Sequence, residues 1–166
     1  MIPSPRRLLV PAALFCLASL VTDAGAQPGA PTPAAVPVEI LILHGTNDGS
    51  GIDPKLGRLP ELGKPPFSSY NSYKLLERSR QTLTTQGPTS MKTPTGANLR
   101  LSLKEIVEPQ KRDQVRRYVI SSSIQKPGGN SFLPLLEVSA KAGQLFFVAG
   151  QEYKGGALVF GIKVSP

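Results

Sequence analysis

His44 is the only histidine in the chain, and a polar, glycine-rich stretch follows it: Thr46-Asn47-Asp48-Gly49-Ser50-Gly51-Ile52-Asp53. An imidazole beside two carboxylates is the material of a metal site, a proton-transfer pair or a nucleophilic triad. Zinc takes three or four ligands, with cysteine and histidine the usual suppliers. Cys16 is the only cysteine and lies upstream in an apolar run, so the other ligands would all have to be carboxylates. His44 is in phase with Val38, Ile40 and Ile42, which reads instead as a hydrogen-bonded residue at a strand end. For calcium, an EF-hand register with Asp48 and Gly49 at its fifth and sixth positions places His44 first and Lys55 twelfth, where carboxylates belong. What is left is either a looser cation site of Asp48, Asp53 and backbone carbonyls, or a glycine turn leading into a helix cap. The expectation is no metal and no cofactor.

Catalysis meets similar limits. The run Ile40-Leu-Ile-Leu-His-Gly-Thr-Asn-Asp-Gly49 is similar to the first strand of an α/β-hydrolase, where a His-Gly lies by the oxyanion hole. That chemistry also needs a G-x-S-x-G nucleophile elbow and a separate histidine base; the chain contains neither. Asp48 and Asp53 would have to converge to within roughly 5–10 Å to act as a glycosidase pair. No catalytic residue is assigned. Binding is a better use of these residues: a glycine-rich loop presents backbone N–H groups, and tyrosines suit interfaces. The expected contact surface is His44, Asn47, Asp48 and Asp53 with the aromatic segment Phe67, Tyr70 and Tyr73. A cationic face is expected where Arg78 and Arg80 meet Lys111, Arg112, Arg116 and Arg117, if their strands are neighbours, since arginine pairs grip phosphate or carboxylate in a bidentate manner.

The elements that must position these groups are mostly strands. Val38 to Leu43 has apolar residues on both faces, the pattern of a central strand. Asp53-Pro54 reads as an N-cap and first turn of a short helix carrying Leu56, Leu59 and Leu62, limited by Gly57 and Pro60. A turn near Ser68 to Asn71 leads to another strand. Leu99, Leu101 and Leu103 alternate with Arg100, Ser102 and Lys104, a half-buried strand. Val115 to Ile124, Phe132 to Ser139, Leu145 to Ala149 and Leu158 to Val164 follow, with Gly150 to Gly156 read as a long hairpin loop. About seven strands with one short helix predict a single, mainly β domain, an antiparallel sandwich or barrel.

Before the domain, residues 1–26 read as a secretory signal peptide: Arg6 and Arg7, an apolar stretch from Leu8 to Val21, and Ala24-Gly25-Ala26 for cleavage. Residues 27–37 read as a Pro/Ala-rich tether, and 38–166 as the β domain. Processing would leave no transmembrane span and a cysteine-free chain that relies on its core alone. Of 19 basic and 11 acidic residues, removal of Arg6, Arg7 and Asp23 leaves 17 and 10, a net charge of +7. Such a protein associates with anionic surroundings. Nucleic acid is not an expected partner, because aromatic residues are not interleaved with the basic ones and the chain is exported.

Gly51-Ile-Asp-Pro-Lys-Leu56, Phe67-Ser-Ser-Tyr-Asn-Ser-Tyr-Lys-Leu-Leu76 and Gly155-Gly-Ala-Leu-Val159 resemble segments of uncharacterised exported proteins of myxobacteria and other Gram-negative bacteria, a likeness covering most of the region from residue 38 to 164. The resemblance implies a compartment, periplasmic or extracellular, and a compact β domain; it implies no reaction. The leading expectation is a non-enzymatic envelope protein that binds a protein or an anionic envelope polymer. The alternatives are a carboxylate-based glycan hydrolase and a structural subunit of an envelope assembly.

Overall fold

A computed structural model describes residues 34–126 and 128–165; the expected signal peptide and the first part of the tether lie outside them. Eight strands are present among the described residues: β1 (Ala35–Thr46), β2 (Ser72–Thr84), β3 (Thr89–Lys92), β4 (Asn98–Val107), β5 (Arg117–Gln125), β6 (Phe132–Lys141), β7 (Leu145–Tyr153) and β8 (Gly156–Val164). They form two four-stranded antiparallel sheets, β2-β1-β8-β7 and β3-β4-β5-β6. Each strand pairs with at least one sequence neighbour, and β8 returns to pair with β1. This is the strand order of an up-and-down barrel, flattened into two layers and unzipped at two seams, β2/β3 and β6/β7.

Four details differ from the sequence reading. β1 begins at Ala35, not Val38, and Val36 is buried, so the last residues of the expected tether belong to the domain. The expected helix is replaced by short 3-10 turns, Pro54–Leu56, Pro60–Gly63 and Phe67–Ser69; prolines and glycines every few residues leave no room for an α-helical turn to propagate. The expected long loop over 150–156 is a tight hairpin. β7 continues to Tyr153, and only Lys154 (φ 45) and Gly155 (φ 76) make the turn, both in the left-handed region that two-residue hairpins require. The four-residue β3 was not foreseen.

The predicted two-faced character of β1 explains the packing. Val36, Val38, Ile40 and Ile42 face inward and join Leu83, Leu99, Leu101, Leu103, Ile120, Ile124, Phe160 and Ile162 between the sheets. Leu41 and Leu43 face outward and would be wet in a simple two-layer sandwich. They are covered by the excursion between β1 and β2, residues 47–71. Leu56 and Leu62 from its 3-10 turns pack on Leu41, Leu43, Tyr73, Phe147 and Val159, with Phe67 edge-on to Phe147 at 5.7 Å. The middle of this sheet, at Leu41, Leu43 and Val159, is therefore buried on both faces by its own chain. Each such leucine stabilises the fold by about 1.5–3 kcal/mol through removal from water.

Candidate functional site

The polar loop after His44 is fastened to the start of β2. Asn71 donates its backbone N–H to the Thr46 carbonyl (3.1 Å) and to Asn47 Oδ1 (3.0 Å). Its side-chain Oδ1 accepts from Gly49 N (3.1 Å) and Ser72 Oγ (2.9 Å). Gly51 N donates to Ser72 Oγ at 3.2 Å. Tyr73 N donates to the Gly51 carbonyl at 2.9 Å, and Asp53 N to the Tyr73 carbonyl at 2.8 Å. The N–H groups of Gly49, Ser50, Gly51 and Asp53 are thus spent within the protein.

The two carboxylates are used the same way. Asp48 Oδ1 accepts from Ser50 Oγ (2.7 Å) and Ser50 N (2.9 Å), and these bonds hold its pKa well below the usual carboxylate range. Asp53 caps the Pro54–Leu56 turn: Oδ1 accepts from Lys55 N (2.9 Å) and Oδ2 from Leu75 N (3.4 Å), which lowers its pKa, Lys55 contributing most. A glycosidase needs one carboxyl group raised so that it can donate a proton. Both are lowered here. No group of three or more His, Cys, Asp or Glu suited to a metal occurs among the described residues.

His44 is a strand-end residue as its phase suggested. Its Nε2 lies 2.8 Å from the Tyr153 carbonyl; a carbonyl only accepts, so Nε2 carries the proton. The Tyr153 ring meets the imidazole edge-on at 5.2 Å. The aromatic segment divides. Tyr73 is 2 % exposed and donates its hydroxyl to the Phe67 carbonyl at 2.6 Å, so it is a core residue and not a contact residue; burial pushes its pKa up to about 12. Phe67 is partly buried against Phe147. Tyr70 is also partly buried and lies beside a hollow of about 480 Å³ formed with the β7–β8 turn.

The expected cationic face is not formed. Arg78 and Arg80 are on β2 in one sheet, whereas Lys111, Arg112 and Arg116 precede β5 and Arg117 opens it in the other; β2 and β5 are not neighbours. Arg78 is drawn to Glu39 (3.5 Å) and the Lys55 carbonyl (3.2 Å), and Arg80 lies across from Glu39 on β1. Arg116 pairs with Glu108 at 2.9 Å.

A second cavity lies at the end of the sandwich where the odd-numbered strands finish. It has a volume of about 930 Å³ and opens between the β3–β4 turn, the β5–β6 turn and the last residues of β7, at the top of the β6/β7 seam. Its walls carry Ala97, Ile124, Leu133 and Leu135. A chain of amides crosses it. Thr95 Oγ1 donates to Gln151 Oε1 (3.0 Å), and Gln151 Nε2 donates to the Gln125 carbonyl (3.1 Å). Gln125 Nε2 donates to the Gly129 carbonyl (2.7 Å), and its Oε1 accepts from Asn98 Nδ2 (2.6 Å). The relay ties both sheets around the opening. Gln151 reaches it because β7 shifts register between Ala149 and Glu152, the re-aiming that a bulge produces. Gly150 is required beside it: a Cβ there would meet Phe160 Cε2 at 2.5 Å. Sequence reasoning assigned none of these mouth residues. The available signal was Gly128-Gly129 in the β5–β6 turn and Gly150-Gln151 near the end of β7, which antiparallel strands bring to one end.

Neither a family model, nor a curated protein, nor a solved structure matches the chain.

Proposed function

We propose that the chain is a non-catalytic binding module of the exported compartment and that its recognition site is the mouth at the end of the sandwich. The observation that carries this reading is the cavity of about 930 Å³ with aliphatic walls and a cross-sheet amide relay. Concave, largely apolar sites of roughly 300–1,000 Å³ with a few fixed polar groups are the usual form of a small-ligand pocket. The relay supports it further, because a rim braced across two sheets is formed before anything binds. The export reading rests on the N-terminal sequence. The net positive charge favours anionic surroundings such as an envelope polymer or an acidic protein, with the mouth taking a moiety of that partner or a molecule found beside it.

Site-specific photocrosslinking in the native envelope tests this. A photoreactive side chain is placed at Asn130, on the mouth, and separately at Ser50, on the fastened loop. Capture from Asn130 and none from Ser50 is the expected result. Capture from Ser50 alone would return the site to the loop and remove the proposal.

A further inference from the structure

Resting on that reading of the mouth, we infer that its ligand is an amphiphile whose aliphatic chain enters the cavity and whose head is neutral or zwitterionic. Three observations point the same way. First, the two glutamine amides of the lining are already engaged by neighbouring protein groups. Gln125 uses both ends of its amide, accepting from Asn98 N and Nδ2 and donating to Gly129, and Gln151 does the same between Thr95 and Gln125. A sugar or a polar peptide would have to exchange these bonds for its own, with little net gain. Second, no aromatic ring is among the lining residues, so a sugar ring or a nucleobase finds no stacking platform. What is offered instead is aliphatic: Ile124 and Leu135 at the edge of the core, and Leu133 left 42 % exposed. Third, the two charged residues of the lining, Lys126 and Glu152, are of opposite sign. They select no net charge, and together they complement a zwitterion.

Each methylene drawn out of water adds about 0.8 kcal/mol, close to a fourfold gain in affinity. The chain length of the ligand is therefore the diagnostic variable. The purified protein is titrated with alkylphosphocholines and alkyl maltosides of eight, ten and twelve carbons, each below its micelle concentration, and the amide shifts of the mouth residues are followed by NMR. Maltotriose and a neutral dipeptide are run in parallel. Leu133→Glu tests the aliphatic wall, and Leu136→Glu, at an equally exposed leucine (41 %) outside the lining, is its control; neither position is buried, so both variants fold.

The expected result is affinity rising about fourfold per methylene, for both head groups, with a loss of tenfold or more in Leu133→Glu and none in Leu136→Glu. Affinity independent of chain length, or equal losses in the two variants, would overturn the inference. Mouth shifts with maltotriose or the dipeptide and none with the amphiphiles would overturn the ligand class while leaving the mouth as a binding site. No mouth shift with any of the four would overturn both.

Discussion

The chain has two regions rich in glycine and short polar side chains, the 46–53 loop and the mouth, and they use the same residue types in opposite ways. In the loop, Asn47, Asp48, Asn71 and Ser72 bond to nearby backbone and to each other. Beneath that clasp lie Leu56, Leu62 and Tyr73, a filled apolar layer. In the mouth, Thr95, Gln125 and Gln151 bond across the sheets, and what they surround is open space. Polar composition alone does not mark a site. The difference is what the hydrogen bonds enclose: side chains in one region, a cavity in the other.

Substitutions can break this contrast, and the largest effect is expected beneath the clasp. Leu62→Ala removes a side chain that is 1 % exposed, and should cost about 2–5 kcal/mol of stability in urea denaturation, without changing ligand affinity at the mouth. If Leu62→Ala were neutral, the 47–71 excursion would be an ornament and not a second core layer. Next in size is Tyr73→Phe, which deletes the bond to the Phe67 carbonyl and should cost about 0.5–1.5 kcal/mol. The same hydroxyl is visible in an alkaline titration. Its pKa is raised from 10.0 to about 12, so the unfolded chain releases that proton first. The stability it contributes is full below pH 10.0 and is lost as pH rises towards about 12; ultraviolet difference spectra should show one of the four tyrosines ionising late.

Gln151→Ala sharpens the comparison from the other side. It removes two hydrogen bonds of the relay, both near solvent, and should lower stability by about 1 kcal/mol or less while weakening binding at the mouth more than Leu62→Ala does. The smallest effect is an acid response confined to the loop. Asp48 and Asp53 have folded pKa values below 3.8. Their contribution is present above that value and lost as pH falls below it, because the unfolded chain takes up protons first. Amide protection at Gly51 and Asp53 should therefore decline below pH 3.8 before the mouth amides change.

Much of the architecture was legible because its signals are local. The alternation in Leu99–Leu103 and in Leu158–Val164, the apolar faces of β1 and the turn glycines specify strands whatever they pair with. His44 was legible for the same reason: its phase with Ile40 and Ile42 placed it at a strand end, where it is found. The short helix was misread because Asp53-Pro54 is a valid cap for an α-helix or a 3-10 turn, and the spacing of Gly57 and Pro60 decided between them. Tyr73 was misread because its role depends on the excursion folding back over the sheet, which no local pattern records. The basic residues were misplaced for a related reason: neighbourhood between β2 and β5 is a matter of strand order. The mouth was hidden most deeply. Gln125 and Gln151 are 26 residues apart and belong to different sheets, and a bulge, invisible in the sequence, turns Gln151 towards its partner.

Residue-resolved amide hydrogen exchange, on the free protein and with dodecylphosphocholine present as monomer, tests the contrast between clasp and mouth most directly. The account predicts that Gly51, Asp53 and Tyr73, whose N–H groups are bonded within the clasp, exchange slowly in the free protein and are unchanged by the ligand, whereas Gly96, Lys126 and Gly129 around the mouth gain protection. Fast exchange at Gly51 and Asp53 that slows on adding ligand, with no change at the mouth, would contradict it.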